Sequence, residues 1–180
     1  MKSDLPTVPE RLVAFLPNLR RFAISLCQSR DLADDLVQAA CERAIVGAEG
    51  FAPDTRFDAW MFKILRNLWI DQLRRRKTAG PQTDIGEAYD VSSPLGAEQV
   101  HARMDLSDVL AALQKLPEEQ REVLVLVCVE DFSYREASDV LSIPIGTVMS
   151  RLARARKNLM ELTGINPGDT RSSSMKGVDP

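Results

Sequence analysis

Apolar residues recur at three- and four-residue steps through most of this chain, the period of helices that bury one face. The clearest run is Ile143 to Leu159, where Ile145, Val148, Leu152, Ala155 and Leu159 form one stripe. Stepping 100° per residue places Thr147, Ser150, Ala153, Arg154 and Lys157 on the opposite side, with Met149, Arg151 and Arg156 flanking it. Pro144 suits the first turn, because its missing N–H would find no partner there. Just upstream, Ser133 and Glu136 have the spacing of a capping box, and Ala137, Val140 and Leu141 make an inner face. Ser142-Ile143-Pro144 then makes a tight turn between two helices. Val123 to Val129 are consecutive apolar residues, which taken alone read as a buried strand. Helix is favoured there. Pro117, Glu118 and Glu119 suit a helix N-terminus, no turn residue separates Glu118 from Glu130, and no second strand-like run exists to pair with. Leu106, Val109, Leu110 and Leu113 mark a preceding helix, stopped by Leu116-Pro117.

The first half has the same period. Residues 9–28 read as helix interrupted at Pro17, with Leu12, Phe15 and Leu16 before it and Leu19, Phe22, Ala23 and Leu26 after it. Ser29 or Asp31 caps a helix over roughly 31–46, whose inner stripe is Leu32, Leu36, Val37, Ala40, Ala44 and Ile45 and whose outer face is acidic. After a loop, residues 57–77 form a helix with Trp60, Ile64, Leu65, Leu68 and Leu73 inward. Residues 78–103 break the pattern with Gly, Pro and Ser and few large apolar side chains. The expectation is an all-α chain: two small helical domains, 9–77 and 104–162, joined by a flexible linker, 78–103, with a disordered tail at 163–180. Fully extended, the linker reaches roughly 85 Å.

Charge changes this picture more than composition does. The formal net charge of -3 argues against a uniformly basic nucleic-acid binder, but the charges are segregated. Met61–Lys77 holds six cations and one acid, and Ile143–Met160 four cations and no acid. Asp31–Glu49 holds five acids against Arg43, and the linker four against Arg103. Cys27, Cys41 and Cys128 are far apart and lie among apolar residues, so they read as buried free thiols, and His101 is the one histidine. No metal site, no cofactor and no catalytic constellation is expected from that set. No run approaches about 18 apolar residues and no signal segment opens the chain, so a soluble, cytoplasmic protein without membrane insertion is expected.

Two basic helices carry the candidate chemistry. The helix after Pro144 is apolar on one side, basic on the other and small at Ser150 and Ala153, which suits entry into a DNA major groove. With the helix before it, it makes a helix-turn-helix. In residues 57–77 the rings of Trp60, Phe62 and Trp69 interleave with Lys63, Arg66 and Arg74–Lys77. Rings can stack on unpaired bases while cations track phosphate, but these rings also fit the core of a small bundle. Asn67 sits in mid-helix, where its amide can reach a base edge or simply face solvent.

At these motifs the chain resembles the extracytoplasmic-function (ECF) sigma factors, the smallest class of bacterial RNA polymerase specificity subunit. D-L-A-D-D-L-V-Q-A-A-C-E-R-A resembles the core-binding helix of sigma region 2, and F-D-A-W-M-F-K-I-L-R-N-L-W-I-D-Q-L-R-R-R its promoter-melting and -10 helix. L-P-E-E-Q-R-E-V-L, F-S-Y-R-E-A-S-D-V-L and I-P-I-G-T-V-M-S-R-L-A-R-A-R-K resemble sigma region 4. The resemblance covers residues 9–77 and 104–162. It implies that Asp35 and Gln38 meet core RNA polymerase, with Ala39 standing where the family usually has Glu and Glu42 one turn on. It implies that the loop Gly47–Arg56 and Asn67 hold a base flipped from the -10 element, and that Lys63, Arg66, Arg74, Arg75, Arg76 and Lys77 hold phosphates. The implied -35 base contacts are Met149, Ser150, Ala153 and Arg154, within a DNA-facing set that includes Thr147, Arg151, Arg156 and Lys157. Met149 replaces a common cation, so one -35 step is expected to differ from the family's usual sequence. The implied partners are core polymerase, promoter DNA and an anti-sigma factor. The rival reading is a sigma-like decoy that only sequesters an anti-sigma factor; such a decoy has no need of Arg74–Lys77 or Arg154.

Overall fold

Thr7 opens the first helix, its backbone N–H donating to the Glu10 carboxylate at 2.8 Å and its hydroxyl at 2.9 Å. The computed structural model describes residues 7–51, 56–79 and 111–164. Leu106, Val109, Leu110, His101, most of the expected linker and the tail beyond Gly164 lie outside the described residues. The helices are α1 (Val8–Cys27), α2 (Arg30–Val46), α3 (Phe57–Ala79), α4 (Glu118–Cys128), α5 (Tyr134–Leu141) and α6 (Ile145–Thr163), with a 3-10 turn at Ala48–Gly50 and a helical stretch over 111–115. Among the described residues there is no strand. The apolar run from Val123 is helical, as Pro117 and the acids after it require.

Several details depart from the expectations, among them the exposure of Leu16 in the α1 stripe and Ile45 in the α2 stripe. Helix α1 runs through Pro17 without a break. Pro17 and Val13 are both exposed, so the turn in which the Val13 carbonyl loses its N–H partner lies at the surface. In α3 the buried arc is rotated: Phe57, Met61, Phe62, Leu65 and Trp69 are buried, while Trp60, Ile64, Leu68 and Leu73 are half-buried. The reason is tertiary, since α3 packs against α1 and α2 and also against α5 from the second half of the chain. In α6, Pro144 is the N-cap rather than a first-turn residue, and Ile145, the first helical residue, is exposed. Ser29 is the cap of α2, its hydroxyl accepting from the Leu32 N–H at 3.4 Å.

One apolar core crosses both halves of the chain. Phe62 is fully buried and sits between Phe22 at 4.8 Å, Phe15 at 5.1 Å and Phe132 at 5.6 Å between ring centroids. Phe132 comes from the turn that leads into α5. That turn is held by the expected capping box: Ser133 Oγ accepts from the Glu136 N–H at 3.2 Å, and the Glu136 carboxylate accepts from the Ser133 N–H at 2.8 Å. Arg56 reaches across to pair with Glu136 and lies 4.6 Å over the Phe132 ring. The free thiols divide. Cys27 and Cys41 are half-buried, and burial pushes both thiols up. Cys128 is exposed, contrary to expectation, because it ends α4; the Arg156 guanidinium meets its sulfur at 3.7 Å.

The cap makes stability pH-dependent. The Ser133 hydroxyl and N–H, then Arg56, hold the Glu136 carboxyl down at about 2 against an ordinary 4.5. A lowered folded pKa contributes stability that is full above the ordinary value and lost as pH falls toward the folded one. Glu136→Gln is therefore expected to lower the melting temperature at neutral pH and to cost progressively less as pH falls from 4.5 toward 2, while Ser133→Ala costs about 1 kcal/mol at neutral pH. Thermal melts across that pH range measure both. Titration of the native protein with a thiol reagent is expected to show one fast cysteine, abolished by Cys128→Ser, and two slow ones.

Candidate nucleic-acid interface

Helix α6 is built as the second helix of a helix-turn-helix. Val148, Leu152 and Ala155 are buried against α4 and α5, and Leu159 is half-buried. That packing turns Met149, Ser150, Ala153, Arg154, Arg156 and Lys157 outward, all exposed, with Thr147 half-buried. The side chains near the middle of that face are short, and Ser150 Oγ folds back to the Thr147 carbonyl at 3.1 Å, so a groove floor can come close. Arg151 behaves differently. It is drawn inward, only 22% of its side chain exposed, by Glu119 at 2.8 Å and Glu122 at 3.7 Å.

Helix α3 presents the second basic face. Lys63, Asn67, Arg74, Arg75 and Lys77 are exposed and Arg76 is half-buried, 5.9 Å from the centre of the Trp69 ring. The aromatic stacking platform is not available here. Phe62 and Trp69 are buried, and the Trp69 indole N–H donates to Glu118 at 2.7 Å. Trp60 is half-buried against the Phe51 ring at 4.8 Å. Asn67 lies seven residues on, on the same face and about 10 Å along the axis. It opens into a groove of about 540 Å³ shared with Arg43, Arg66, Arg74 and, from the end of α5, Ser142. Residues 52–55 of the loop expected to join this pocket lie outside the described residues. Its last residue, Arg56, is engaged by Asp58 at 2.5 Å and by Glu136.

On α2, Asp35, Gln38 and Glu42 share one exposed face, and Gln38 Nε2 donates to Glu42 at 3.0 Å. Ala39 lies beside them in a groove whose far wall is Leu68, Asp71, Gln72 and Arg75 of α3. A methyl group at that position leaves the groove open where a Glu side chain would stand across it.

The residues missed by the sequence reading are Arg121 and Glu122, near the start of α4. Arg66 is 14% exposed in its side chain and pairs with the buried Glu122, Nε donating to Oε2 at 2.9 Å. Burial pushes the Glu122 carboxyl up, and the Arg66 hydrogen bond pulls the other way. Arg121 is also buried and, among the described residues, has no carboxylate in ion-pair contact with its guanidinium; its N–H groups donate to the carbonyls of Leu116 at 2.8 Å, Leu26 at 3.3 Å and Gln114 at 3.4 Å, and to that of Ser25. Burial lowers its pKa. A signal was present, since Arg121 and Glu122 stand four residues before the buried Val125 and Leu126 and so on the inward face. Among the described residues no cluster of His, Cys, Asp and Glu is placed to hold a metal ion, and no helix is long and apolar enough to cross a membrane.

Comparison with known proteins places these elements in one group. Residues 12–79 match the family described as Sigma-70 region 2, and residues 106–159 the family described as Sigma-70, region 4. The ECF RNA polymerase sigma factor EcfG of Rhodopseudomonas palustris is 40% identical over 84% of this chain and 82% of its own length. The sigma factor RpoE of Bartonella quintana, solved in complex with the anti-sigma factor NepR, superposes with a TM-score of 0.71 at 33% identity, covering 88% of this chain and 97% of that one. CnrH, solved in complex with the cytosolic domain of CnrY, superposes with a TM-score of 0.61 at 28% identity over 86% of each chain.

Proposed function

Because this chain belongs to the ECF RNA polymerase sigma factors, we propose that it binds core RNA polymerase and directs promoter recognition, DNA melting and transcription initiation, working as a binding subunit in the cytoplasm without chemistry of its own. The observation that carries this reading is the pairing of two exposed basic helix faces, on α3 and α6, in one chain. Residues 9–77 are read as the unit that binds polymerase and the -10 element, and residues 104–162 as the -35 reader. Helix α6 enters the major groove at the -35 element. Arg154 is the outward cation placed to reach a guanine edge, and Met149, 52% exposed, offers apolar contact to a thymine methyl. Helix α3 handles the -10 element, with Asn67 and its groove receiving a flipped base and Lys63, Arg66 and Arg74–Lys77 on phosphates. Asp35, Gln38 and Glu42 on α2 face polymerase, with Ala39 removing one acidic contact. RpoE was solved with the anti-sigma factor NepR, and CnrH with the cytosolic domain of CnrY, which supports an anti-sigma factor as the regulator of this chain too.

Core polymerase supplemented with this protein is expected to yield a defined transcript start on its cognate promoter; binding to core without any initiation would instead indicate a decoy. Arg154→Ala is expected to cost about 1–3 kcal/mol at a single -35 base pair, measured by competition among promoter variants. Uniform weakening across those variants would reduce Arg154 to a phosphate contact. Asn67→Ala is expected to lower permanganate reactivity of unpaired -10 thymines while leaving -35 binding intact. Equal loss of both signals would remove Asn67 from the melting step.

A further inference from the structure

Arg11 is absent from both basic faces described above. It reaches from α1 to the rings around the start of α3, its guanidinium carbon 4.4 Å from the centre of the Phe57 ring and 5.4 Å from that of Phe51. Those two rings stand at 83° to one another, 5.9 Å apart. The guanidinium is therefore held in the corner between them. Trp60 completes the cluster, its ring 4.8 Å from Phe51 and 6.0 Å from Phe57. Attraction to ring faces fixes a guanidinium without using its N–H donors, which lie in the plane of the group. Among the described residues Arg11 has no ion pair and no side-chain hydrogen bond, and it is half-buried, so part of it meets solvent. The acids beside it in sequence and at the start of α3 are already engaged: Glu10 by Thr7 at 2.8 and 2.9 Å, and Asp58 by Arg56 at 2.5 Å. Arg56 is the contrast. It also lies over a ring, that of Phe132, but its donors go to Asp58 and Glu136.

We infer that Arg11 is a nucleic-acid ligand: seated on the Phe57 and Phe51 rings, it donates its free N–H edge to a phosphate of the unpaired -10 strand. The inference rests on α3 being the -10 surface proposed above. Trp60, Asn67 and Arg74 follow one another on one face of α3, about 10 Å apart along the axis. A strand whose base enters the Asn67 groove passes Arg74 in one direction and Trp60 in the other. Its phosphates need a cation on each side. Arg74–Lys77 serve the first side, and Arg11 with the exposed Lys63 serves the second. A guanidinium fork meets two phosphate oxygens together, and the rings order it before the strand arrives.

Core polymerase carrying the full-length protein is titrated with a fluorescent single-stranded oligonucleotide, the non-template -10 strand of a promoter it initiates from. Anisotropy is read over a series of salt concentrations. Arg11→Gln is expected to weaken binding about tenfold at low salt. It is also expected to make the slope of log affinity against log salt shallower by about 0.7, the value for one phosphate on a single strand. Arg11→Lys keeps the charge and is expected to hold the slope and lose less affinity. An arginine that merely braces the rings behaves otherwise: Gln and Lys lose equal affinity and the slope does not move, and that result overturns the inference. Binding unchanged by Arg11→Gln but weakened by Asn67→Ala overturns it too, and leaves α3 in its role. If Asn67→Ala is silent as well, the -10 assignment of α3 falls with it. Should Arg11→Gln lose helical circular dichroism, Arg11→Met, whose thioether also packs on rings, carries the same slope test.

Discussion

A guanidinium taken out of water without a carboxylate has to be surrounded by other acceptors, and Arg121 draws four carbonyl oxygens from two stretches of backbone around itself. Two of them belong to the last turn of α1, whose carbonyls have no intrahelical partner. The end of one helix and the start of another thus satisfy each other. Desolvating a lone charge costs several kcal/mol, so these carbonyls cannot all be dispensable while Arg121 stays buried. Much of the remaining arrangement follows from that point. With α4 seated on α1, its first-turn acids lie against α3, and Phe132 is brought onto Phe62.

Helix α3 serves two demands that compete for its circumference. It must bury an apolar arc against α1 and α2, and it must present cations and Asn67 to a ligand. The wide arc from Phe57 to Trp69 leaves Lys63, Asn67 and Arg74 outside, and the second unit then takes Arg66 and Trp69 for its own contacts. Arg66 is therefore both a candidate phosphate ligand and half of a buried ion pair. Such a pair adds little net stability over an apolar contact of the same shape, but breaking it leaves a buried charge alone. That asymmetry suits a contact that is either fully made or fully exchanged for another anion.

Helix α6 has no such conflict. Its apolar stripe and most of its basic face are on opposite sides, and the seam with α4 uses the stripe with Arg151, Arg156 and Asn158 at its edge. The short side chains at Ser150 and Ala153 and the exposed Met149 set the shape of the reading face, while Arg154 and Lys157 supply its charge. Specificity then depends on few side chains. Under the function proposed above, the departure at Met149 would bear on promoter choice, whereas the departure at Ala39 on α2 would bear on polymerase contact.

The helices themselves were legible in the chain because their determinants are local: stripes at the helical period, Ser29 and Ser133 as caps, Pro117 and Glu118 before the ambiguous valine run. So was the opposition of apolar and basic faces on α6, which needs only 100° per residue. Decisions that depend on what lies across a gap were not legible. Pro17 could stay inside α1 because that turn of the helix is at the surface; Trp69 went inward because Glu118, distant in sequence, accepts its N–H; Cys128 stayed exposed at the end of α4, beside Arg156. The sequence by itself determined that there are two basic helices, one in each half of the chain, since periodicity and charge are properties of single segments. Only the tertiary structure decided that the acids of one unit hold cations of the other, because a buried charge finds its partner by distance in space and not by distance along the chain.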